Sequence, residues 1–421
     1  MIRARPACLA QLVLVLLCSL RAVAHAGDAP VVILLSWDGT RWDYPSRASF
    51  PGLERMAREG AHAQRLTPVF PSSTFPNHVS LATGTYVDRH GIIDNSFTDR
   101  QGKRFDYGND ATWLEAEPLW SAAERQGVRA AVFFWVGSET PWHGHGASYS
   151  RLPFDTHVQE RAKVEQILAW LDLPAKERPQ LVMSWWHGCD SVGHEQGPGS
   201  PEIAAQLARE DRELGRLLAG LDARNAWSHT TLLIASDHGM AEIHGAVDAE
   251  GALRSADIRA RVSISGGEGQ VYLADRAQLA AALAALGQVK GLSAYDNESL
   301  PAHLRSNYPG RSGDIALLAH PPWMLGHPRL GEGVRAWWSR LIGSGVGAHG
   351  FDPALPEMGA IFYALGRGVP AGAQLGEVRA IDVAPTAAAL LGIAPPAQSE
   401  GKALFGAVTQ TASASEARSE R

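Results

Sequence analysis

The sequence predicts an α/β protein built on a mostly parallel central sheet, and two patterns lead to this prediction. Three apolar runs have the continuous hydrophobicity of strands buried on both faces, at residues 31–36, 181–186 and 231–236. Helical patterns lie between these runs, at residues 53–60, 120–127, 158–171 and 202–221. Because strands that alternate with helices form layered folds, we expect a sheet covered by helices on both faces.

Each apolar run is followed by a polar side chain that can bind a metal or act in catalysis. Asp38 follows the first run, and Asp190 follows the second after a three-residue link. Asp237 and His238 follow the third run. In open parallel sheets, ligands bind beyond the carboxyl ends of the strands. We therefore expect these side chains to meet at one edge of the sheet.

The first 26 residues have the pattern of a secretory signal peptide. A basic start with Arg3 and Arg5 precedes an apolar run at residues 9–20, and an A-x-A cleavage pattern stands at residues 24–26. A membrane anchor is the alternative, but the run is short for a span. Cleavage after Ala26 removes three arginines and no acid, which changes the net charge from −6 to −9. The composition and the style of the signal favour a bacterial periplasm.

Composition and cysteine content set further bounds. Hydrophobic residues make up 45% and charged residues 19% of the 421 residues, which is typical of a globular protein with a sizeable core. The acidic balance argues against a stable nucleic-acid complex. Only Cys189 lies beyond the signal region, so no intramolecular disulfide is possible after cleavage. We expect a main domain at residues 27–408, an inserted subdomain at about 248–345 and a disordered tail at 409–421.

The stretch FPSSTFPNHVSLATGTYVDRHGIIDN, at residues 70–95, combines turn formers, hydroxyl groups and a short helical segment. Its prolines and serines favour a turn and a helix start, and residues 77–83 suit a helix that ends at Gly84. A hydroxyl at the start of such a helix faces free N–H groups and the positive end of the helix dipole, which suits a bound anion. A plain N-cap is the alternative interpretation.

Carboxylates and imidazoles recur in a pattern typical of a metal site. Asp190 and His194 form an Asp-x-x-x-His group, which brings both side chains to one side if the segment is helical. The adjacent Asp237 and His238 can face two different ions, and His349 stands in a Gly-Ala-His-Gly segment. Carboxylate oxygen and imidazole nitrogen are the zinc ligands outside thiolate sites. Each of these groups alone also fits a structural role.

Seven segments of the chain resemble the motifs of a known enzyme family. VVILLSWDG, FPSSTFPNH, HGIIDN, EPLWSAAERQG, DSVGHEQGP, SDHGM and GAHGF occur in the order seen in nucleotide pyrophosphatase/phosphodiesterases of the alkaline phosphatase superfamily. The resemblance covers residues 31–391. It implies an alkaline-phosphatase-like three-layer sandwich with a small inserted subdomain. It also implies a secreted zinc-dependent phosphodiesterase that hydrolyses nucleotide diesters or pyrophosphates to nucleoside monophosphates.

The resemblance divides seven metal ligands between two Zn²⁺ ions per subunit. One ion is held by Asp190, His194 and His349. The other is held by Asp38, Asp237 and His238, with the Thr74 hydroxyl as a further ligand. The two ions would lie about 4 Å apart, as in other two-metal sites. Thr74 is then the nucleophile, and its attack on phosphorus gives a phosphothreonine intermediate.

The resemblance also assigns residues to the substrate. Asn95, which also fits a turn, matches the family residue that donates to a non-bridging phosphate oxygen, helped by a backbone N–H near Phe75. Trp185 lies where many members carry a base-stacking Tyr, and its ring can stack a base or belong to the core beside Trp186. Phe75 and Tyr107 are further candidate walls of this pocket.

The chain departs from the family pattern at Cys189, where the family often has Pro before the metal-binding aspartate. The thiol is either an inert apolar group or a soft group near zinc that makes activity redox-sensitive. His143 and His145 match no family ligand. His78 and His187 fit surface or hydrogen-bonding roles better than metal binding.

Other functions are weighed against this one. A diesterase for choline-type glycerophosphodiesters or lysophospholipids needs an aromatic and acidic cage for the ammonium, which the sequence does not locate. A non-catalytic binding protein on the same fold would have lost a ligand or Thr74, and all seven positions are intact. A sulfatase is disfavoured because the Pro45-Ser46-Arg47 fragment lacks the upstream Cys. We expect a small-molecule phosphodiester as partner and no membrane anchor after signal cleavage.

Overall fold

The structure, a computed structural model, describes residues 29–108, 110–326 and 346–406. The predicted signal peptide at 1–26 and the predicted tail at 409–421 lie outside the described residues. Residues 327–345, which belong to the predicted inserted subdomain, also lie outside the described residues. Within the described ranges, no helix has the length and apolar character needed to cross a membrane.

The helices and strands follow one another along the whole described chain. The helices are α1 (Pro51–Glu59), α2 (Thr74–Thr83), α3 (Val87–His90), α4 (Leu119–Arg125), α5 (Glu160–Leu171), α6 (Asp190–Gln196), α7 (Pro201–Ala223), α8 (Ala249–Ser255), α9 (Leu279–Leu286) and α10 (Val383–Leu391). The strands are β1 (Val31–Trp37), β2 (Ala61–Thr67), β3 (Ser96–Thr98), β4 (Arg104–Asp106), β5 (Ala130–Phe133), β6 (Tyr149–Arg151), β7 (Leu181–Trp186), β8 (Thr230–Ala235), β9 (Ala241–Ile243), β10 (Gly245–Val247), β11 (Ala260–Ser265), β12 (Glu268–Leu273), β13 (Leu292–Asp296), β14 (Ile315–Ala319), β15 (Trp323–Leu325), β16 (Val346–Ala348), β17 (Phe362–Gly366) and β18 (Ala373–Arg379).

The central sheet has eight strands in the order β18-β2-β17-β8-β1-β7-β5-β6. Strand β17 is antiparallel to both of its neighbours, and the other neighbouring strands are parallel. The predicted mostly parallel sheet is therefore confirmed. Strand β1 lies between β7 and β8, so the three apolar runs identified in the sequence are direct neighbours.

These three strands are buried along their whole length, which explains their continuous hydrophobicity. Helices α1 and α5 pack on α7, and α2 and α4 pack on α10, to give helix layers that complete the three-layer sandwich. The ends of α1, α4, α5 and α7 differ from the predicted helix ends by at most two residues.

Helix α2 begins three residues earlier than the predicted segment at 77–83, because Pro76 does not interrupt it. The first four N–H groups of a helix have no partner within it, so a proline in the first turn costs no hydrogen bond. Thr74 is thus the first residue of the helix. The helix ends as predicted at Gly84, which has φ 71° in the left-handed region.

A second, antiparallel sheet has the strand order β11-β12-β14-β13 and lies within the predicted inserted subdomain. With α8 and α9 it encloses a separate apolar cluster. The turn between β11 and β12 touches the backbone of His349, since the Gly267 N–H donates to its carbonyl oxygen at 2.8 Å. The bounds of the subdomain stay a prediction, but this turn supports one side of the site described next.

Candidate active site

The ends of β1, β7 and β8 bring three aspartates together at one edge of the sheet. Asp38 follows β1 directly, Asp190 opens α6 and Asp237 follows β8. The backbone N–H of Gly39 donates to Asp237 Oδ1 at 3.1 Å. The loop after β7 must pass very close to Asp38, because a Cβ on Gly188 would lie 2.0 Å from the Asp38 carbonyl oxygen. Glycine at this position therefore allows the close approach of the two strand ends.

Asp190, His194 and His349 form the first of two Asp/His clusters. Asp190 Oδ1 lies 3.3 Å from His194 Nε2 and 3.8 Å from His349 Nε2. The helical spacing of Asp190 and His194 brings both side chains to one side, as the sequence predicted for a helical segment. The Nδ1 atoms are held by backbone carbonyls, that of His194 by Gly347 at 2.9 Å and that of His349 by Ser72 at 3.2 Å. Both Nε2 atoms are thereby directed to the cluster.

Asp38, Asp237, His238 and Thr74 form the second cluster. His238 Nε2 lies 3.3 Å from Asp237 Oδ2, 3.7 Å from Asp38 Oδ1 and 3.2 Å from Thr74 Oγ1. Its Nδ1 faces the Gly239 carbonyl oxygen at 2.9 Å. The rings of His238 and His349 stack with centroids 3.9 Å apart, so the two clusters lie side by side.

The donor atoms of these clusters fit metal ions. Asp38 Oδ1, Asp190 Oδ1 and Asp237 Oδ2 are buried and have no hydrogen-bond partner within the described residues. Buried carboxylate oxygens of this kind are costly unless a cation or a donor meets them. Together with the imidazole nitrogens they offer the oxygen and nitrogen set that zinc prefers outside thiolate sites.

Burial is the largest cause of the pKa shifts of Asp38 and His349, whereas neighbouring histidines lower the pKa values of Asp190 and Asp237 in spite of their burial. Burial, followed by the charges of Asp237 and Asp190, raises the pKa of Asp38 well above its ordinary value. Burial and the neighbouring His238 lower the pKa of His349 to about 3, so its imidazole is neutral, which is the form that binds metals. A bound cation would relieve the repulsion among the carboxylates.

His78 packs behind the second cluster and has a hydrogen-bonding role. It is fully buried on α2, with Nε2 2.9 Å from Ser36 Oγ and Nδ1 2.9 Å from the Thr74 carbonyl oxygen. The same Nδ1 lies 3.3 Å from Asp237 Oδ2. One signal in the sequence could have indicated this contact, since His78 stands four residues after Thr74 and shares its helix face.

Asn95 lies beside Thr74, and its amide oxygen accepts a hydrogen bond from the start of α2. The Phe75 N–H, which we expected to assist at the phosphate, donates to Asn95 Oδ1 at 2.7 Å. The Asn95 N–H in turn donates to Asp94 Oδ1 at 2.6 Å. The first bond orients the Asn95 side chain and leaves its NH₂ to donate, to the neighbouring Tyr107 hydroxyl or to a ligand.

A cavity of about 510 Å³ opens beside the second cluster and is lined by Thr74, Phe75, Tyr107, Phe154 and Trp185, among others. Trp185 is 7% exposed, and its Nε1 donates to Asp38 Oδ2 at 2.9 Å. Phe154 stacks on the Trp185 ring with centroids 4.5 Å apart. Tyr107 is 61% exposed, and its ring is edge-to-face with that of Phe75, with centroids 5.4 Å apart. The predicted aromatic walls therefore meet, with Phe154 as an additional member.

Three other residues considered in the sequence belong to neither cluster. His143 and His145 are exposed on a turn and belong to neither cluster. Cys189 is fully buried, and burial raises the pKa of its thiol. Its surroundings favour the inert apolar role over the redox-sensitive one.

The α/β sandwich and the paired Asp/His clusters at its strand ends define a hydrolase of the alkaline phosphatase superfamily. The sequence matches the family described as type I phosphodiesterase/nucleotide pyrophosphatase over residues 32–352. The chain belongs to this family, which confirms the resemblance found in the sequence.

Relatives and solved structures agree with this assignment. An uncharacterized pyrophosphatase/phosphodiesterase of Schizosaccharomyces pombe is 34% identical over 355 residues, which cover 80% of this chain and 71% of the relative. The venom phosphodiesterase CdcPDE of Crotalus durissus collilineatus is 30% identical over 80% of this chain, which spans only 41% of that relative. Murine ectonucleotide pyrophosphatase/phosphodiesterase 5, in an inactive form in complex with AMP, has a TM-score of 0.77 at 25% identity, with 87% of this chain and 96% of that chain covered.

Proposed function

We propose that the protein is a secreted, zinc-dependent phosphodiesterase and nucleotide pyrophosphatase that releases nucleoside monophosphates through a phosphothreonine intermediate. The contact that carries this proposal joins Thr74 Oγ1 and His238 Nε2 at 3.2 Å, since it places a hydroxyl against the metal-binding clusters. The names of the relatives support nucleotide substrates, and so does the AMP bound by the murine neighbour. The signal pattern at residues 1–26 supports export, with a bacterial periplasm as the destination.

The two clusters would hold two Zn²⁺ ions. Asp190, His194 and His349 would bind one, and Asp38, Asp237, His238 and Thr74 the other. When bound, zinc supplies Lewis acidity, which lowers the pKa of a hydroxyl or water and neutralises charge on phosphate oxygens. The partnerless carboxylate oxygens of both clusters support this assignment.

Thr74 is the proposed nucleophile. Its Oγ1 attacks phosphorus, the bond from phosphorus to the leaving oxygen breaks, and the nucleoside phosphate stays on Thr74 as a diester. Water then attacks the same phosphorus, the bond to Thr74 Oγ1 breaks, and the nucleoside monophosphate is released. The position of Thr74 at the start of α2 supports this role, because helix N–H groups and the helix dipole favour a bound phosphate there.

Asn95 is the proposed donor to a non-bridging phosphate oxygen. Its Oδ1 accepts from the Phe75 N–H, so the NH₂ is the group that faces a ligand. A donor of this kind stabilises the negative charge that builds up on the phosphate oxygens in the transition state.

The aromatic cavity is the proposed nucleoside site. Its volume of about 510 Å³ lies in the usual range for small-molecule sites. Phe154 and the exposed Tyr107 offer ring surfaces for a base, and Trp185, which is 7% exposed, supports the Phe154 ring from the side away from the ligand. Glu139 also lines this cavity, whereas the Lys163 side chain is 1% exposed and its Nζ donates to the Trp185 carbonyl oxygen at 2.8 Å. The preference for a nucleotide over a choline-type substrate therefore rests on the relatives rather than on the charge of the cavity.

The proposal is tested by comparing rates on zinc-loaded enzyme with three substrate classes: a nucleotide diester, a choline phosphodiester and a phosphate monoester. We expect the highest kcat/KM for the nucleotide diester. A higher value for the choline compound would instead support the choline-type alternative. No turnover of any of the three, with both metal sites filled, would support a binding protein.

A further inference from the structure

A second cavity of about 520 Å³ continues from the active-site cavity. The two cavities share three lining residues, Thr156, His187 and Ser191, so they form one connected surface. Ser191 follows the cluster ligand Asp190 directly, which places the junction at the metal-binding clusters. We name this second cavity the arginine groove, after its lining residues Arg161, Arg209 and Arg212.

Two of these arginines have no carboxylate partner. Arg209 Nε and Nη2 both donate to Gln206 Oε1, at 2.9 and 2.6 Å, and Arg212 Nη1 donates to the Ala208 carbonyl oxygen at 3.0 Å. Across the described ranges, no ion pair within 4.0 Å involves either guanidinium. Both side chains are exposed on α7, three residues apart, and so lie on one face of the helix.

The acidic residues of the groove are paired with other groups. Glu160 is hydrogen-bonded to His187 and lies 3.4 Å from Lys163 Nζ. Glu213 forms an ion pair with Arg216 at 3.1 Å. The third arginine, Arg161, is paired with Glu165 at 3.0 Å. The charges of Arg209 and Arg212 are therefore in excess, in a chain whose net charge is −6.

We propose that the arginine groove binds a second phosphate group of the substrate, beyond the phosphorus that is attacked. This inference rests on the proposed function, since it assumes that a phosphodiester is bound at the clusters. Guanidinium groups suit phosphate because their N–H donors match its oxygens in geometry and charge. The substrate class is then a nucleotide that carries a further phosphate, either on the nucleoside that stays bound or on the group that leaves.

Three probes distinguish these sources. Thymidine 5′-(p-nitrophenyl phosphate) carries no second phosphate. Its 3′-phosphorylated analogue carries one on the nucleoside that stays bound, and diadenosine tetraphosphate carries more in the polyphosphate chain. We compare kcat/KM for the three probes in the wild-type holoenzyme, in the double variant Arg209→Gln/Arg212→Gln, and in the control Arg58→Gln. Arg58 is exposed on α1 and lines neither cavity.

For each probe with a second phosphate, we divide its kcat/KM by that of the single-phosphate probe. We expect the double variant to lower at least one of these two ratios by about tenfold, which is the size of the effect of hydrogen bonds to a charged group at an exposed site. The probe that responds identifies the side on which the second phosphate lies. The control variant should leave both ratios unchanged. Equal ratios in the wild-type protein and the double variant, with zinc content and Tm unchanged, would overturn the inference.

A binding measurement separates this inference from the proposed activity. Calorimetry on the holoenzyme compares thymidine 5′-monophosphate with thymidine 3′,5′-bisphosphate, and with diadenosine tetraphosphate under conditions that prevent turnover. A preference for a second phosphate that the double variant loses would support the groove even if no diester were hydrolysed. Equal affinities for all ligands in the wild-type protein would exclude the groove even if hydrolysis were confirmed.

Discussion

The indole Nε1 of Trp185 donates a hydrogen bond to Asp38 Oδ2 at 2.9 Å, across 147 positions of the sequence. The wall of the aromatic cavity is therefore joined to a proposed metal ligand. Asp38 keeps its other oxygen, Oδ1, for the cluster, where it has no hydrogen-bond partner among the described residues. Trp185 is thus a positioning residue for Asp38 as well as the ring that supports Phe154 in the cavity wall.

Trp185→Phe separates these two roles, because it keeps an aromatic ring and removes the N–H. We expect zinc affinity at the cluster of Asp38, Asp237 and His238 to fall about 10- to 100-fold, as for other residues that orient metal ligands. Competition with a chelator measures this affinity. Unchanged zinc binding would show that the hydrogen bond does not orient Asp38.

Phe154→Leu is the matched change in the same wall, since Phe154 stacks on Trp185 without touching a metal ligand in the contacts described above. We expect kcat/KM for nucleotide diesters to fall by the ~1–3 kcal/mol typical of base–aromatic stacking. A diester with no base should lose far less, and zinc content should stay constant. Equal losses on both substrates would place Phe154 in the core only.

Thr74→Ala should abolish turnover while both zinc ions remain. The Asp and His ligands are unchanged, and only the nucleophilic oxygen is removed. Metal content and rate are measured on the same sample, with wild-type protein as reference. Residual activity above a few per cent would mean that water attacks phosphorus directly.

Replacing single ligands should deplete the two ions selectively. Asp190→Asn and His349→Ala should empty the first cluster, whereas Asp237→Asn and Asp38→Asn should empty the second. Anomalous diffraction locates the ion that remains. Loss of both ions in every variant would contradict the proposed division of ligands.

The buried acids Asp94 and Glu268 should make folding stability depend on pH. Burial raises the pKa of Asp94 to about 6, and burial with the charge of Asp94 raises the pKa of Glu268 well above its ordinary value. The folded state then binds more protons than the unfolded state between their ordinary pKa values and the raised ones. The contribution of this pair to stability is therefore fully present below the ordinary pKa values of the two acids and is lost as pH rises through about 6.

Glu268→Gln keeps a hydrogen-bond donor for Asp94 and removes one titrating group. We expect the fall in Tm between acid and alkaline pH to be smaller in this variant than in the wild-type protein. Thermal unfolding at several pH values measures it, with the exposed Glu177→Gln as control. The same slope in Glu268→Gln and in wild type would show that the acid pair does not set the pH dependence.

The sequence was sufficient to predict the centre of the sheet and the meeting of its strand ends. Strands β1, β7 and β8 are apolar along their length because both faces are buried, and such runs stand out without a structure. Since the carboxyl ends of parallel strands share one edge, Asp38, Asp190 and Asp237 were expected together. The sequence also predicts the helix that ends at Gly84, but the observed helix begins at Thr74, three residues before the predicted start.

Contacts between distant segments could not be predicted in this way. Phe154 lies in a segment outside the regular elements between β6 and α5, where no periodic pattern indicates which side chains face a cavity. The hydrogen bond from Trp185 to Asp38 depends on the register of β1 against β7, in which Trp185 stands opposite Ser36. The excess charge of Arg209 and Arg212 appears only once their neighbours in space are known.

The burial of Cys189 has a practical consequence. Its side chain is fully enclosed, and its backbone N–H is bonded to the Asp38 carbonyl oxygen at 2.8 Å. Since its Sγ faces the Ile203 carbonyl oxygen of α7, a thiol reagent can reach it only when the structure around the link between β7 and α6 opens. In a chain without residues 1–26, Cys189 is the single thiol, so its alkylation is followed without interference from other cysteines. The rate of this alkylation measures the opening of the segment that carries Asp190, and no label has to be introduced.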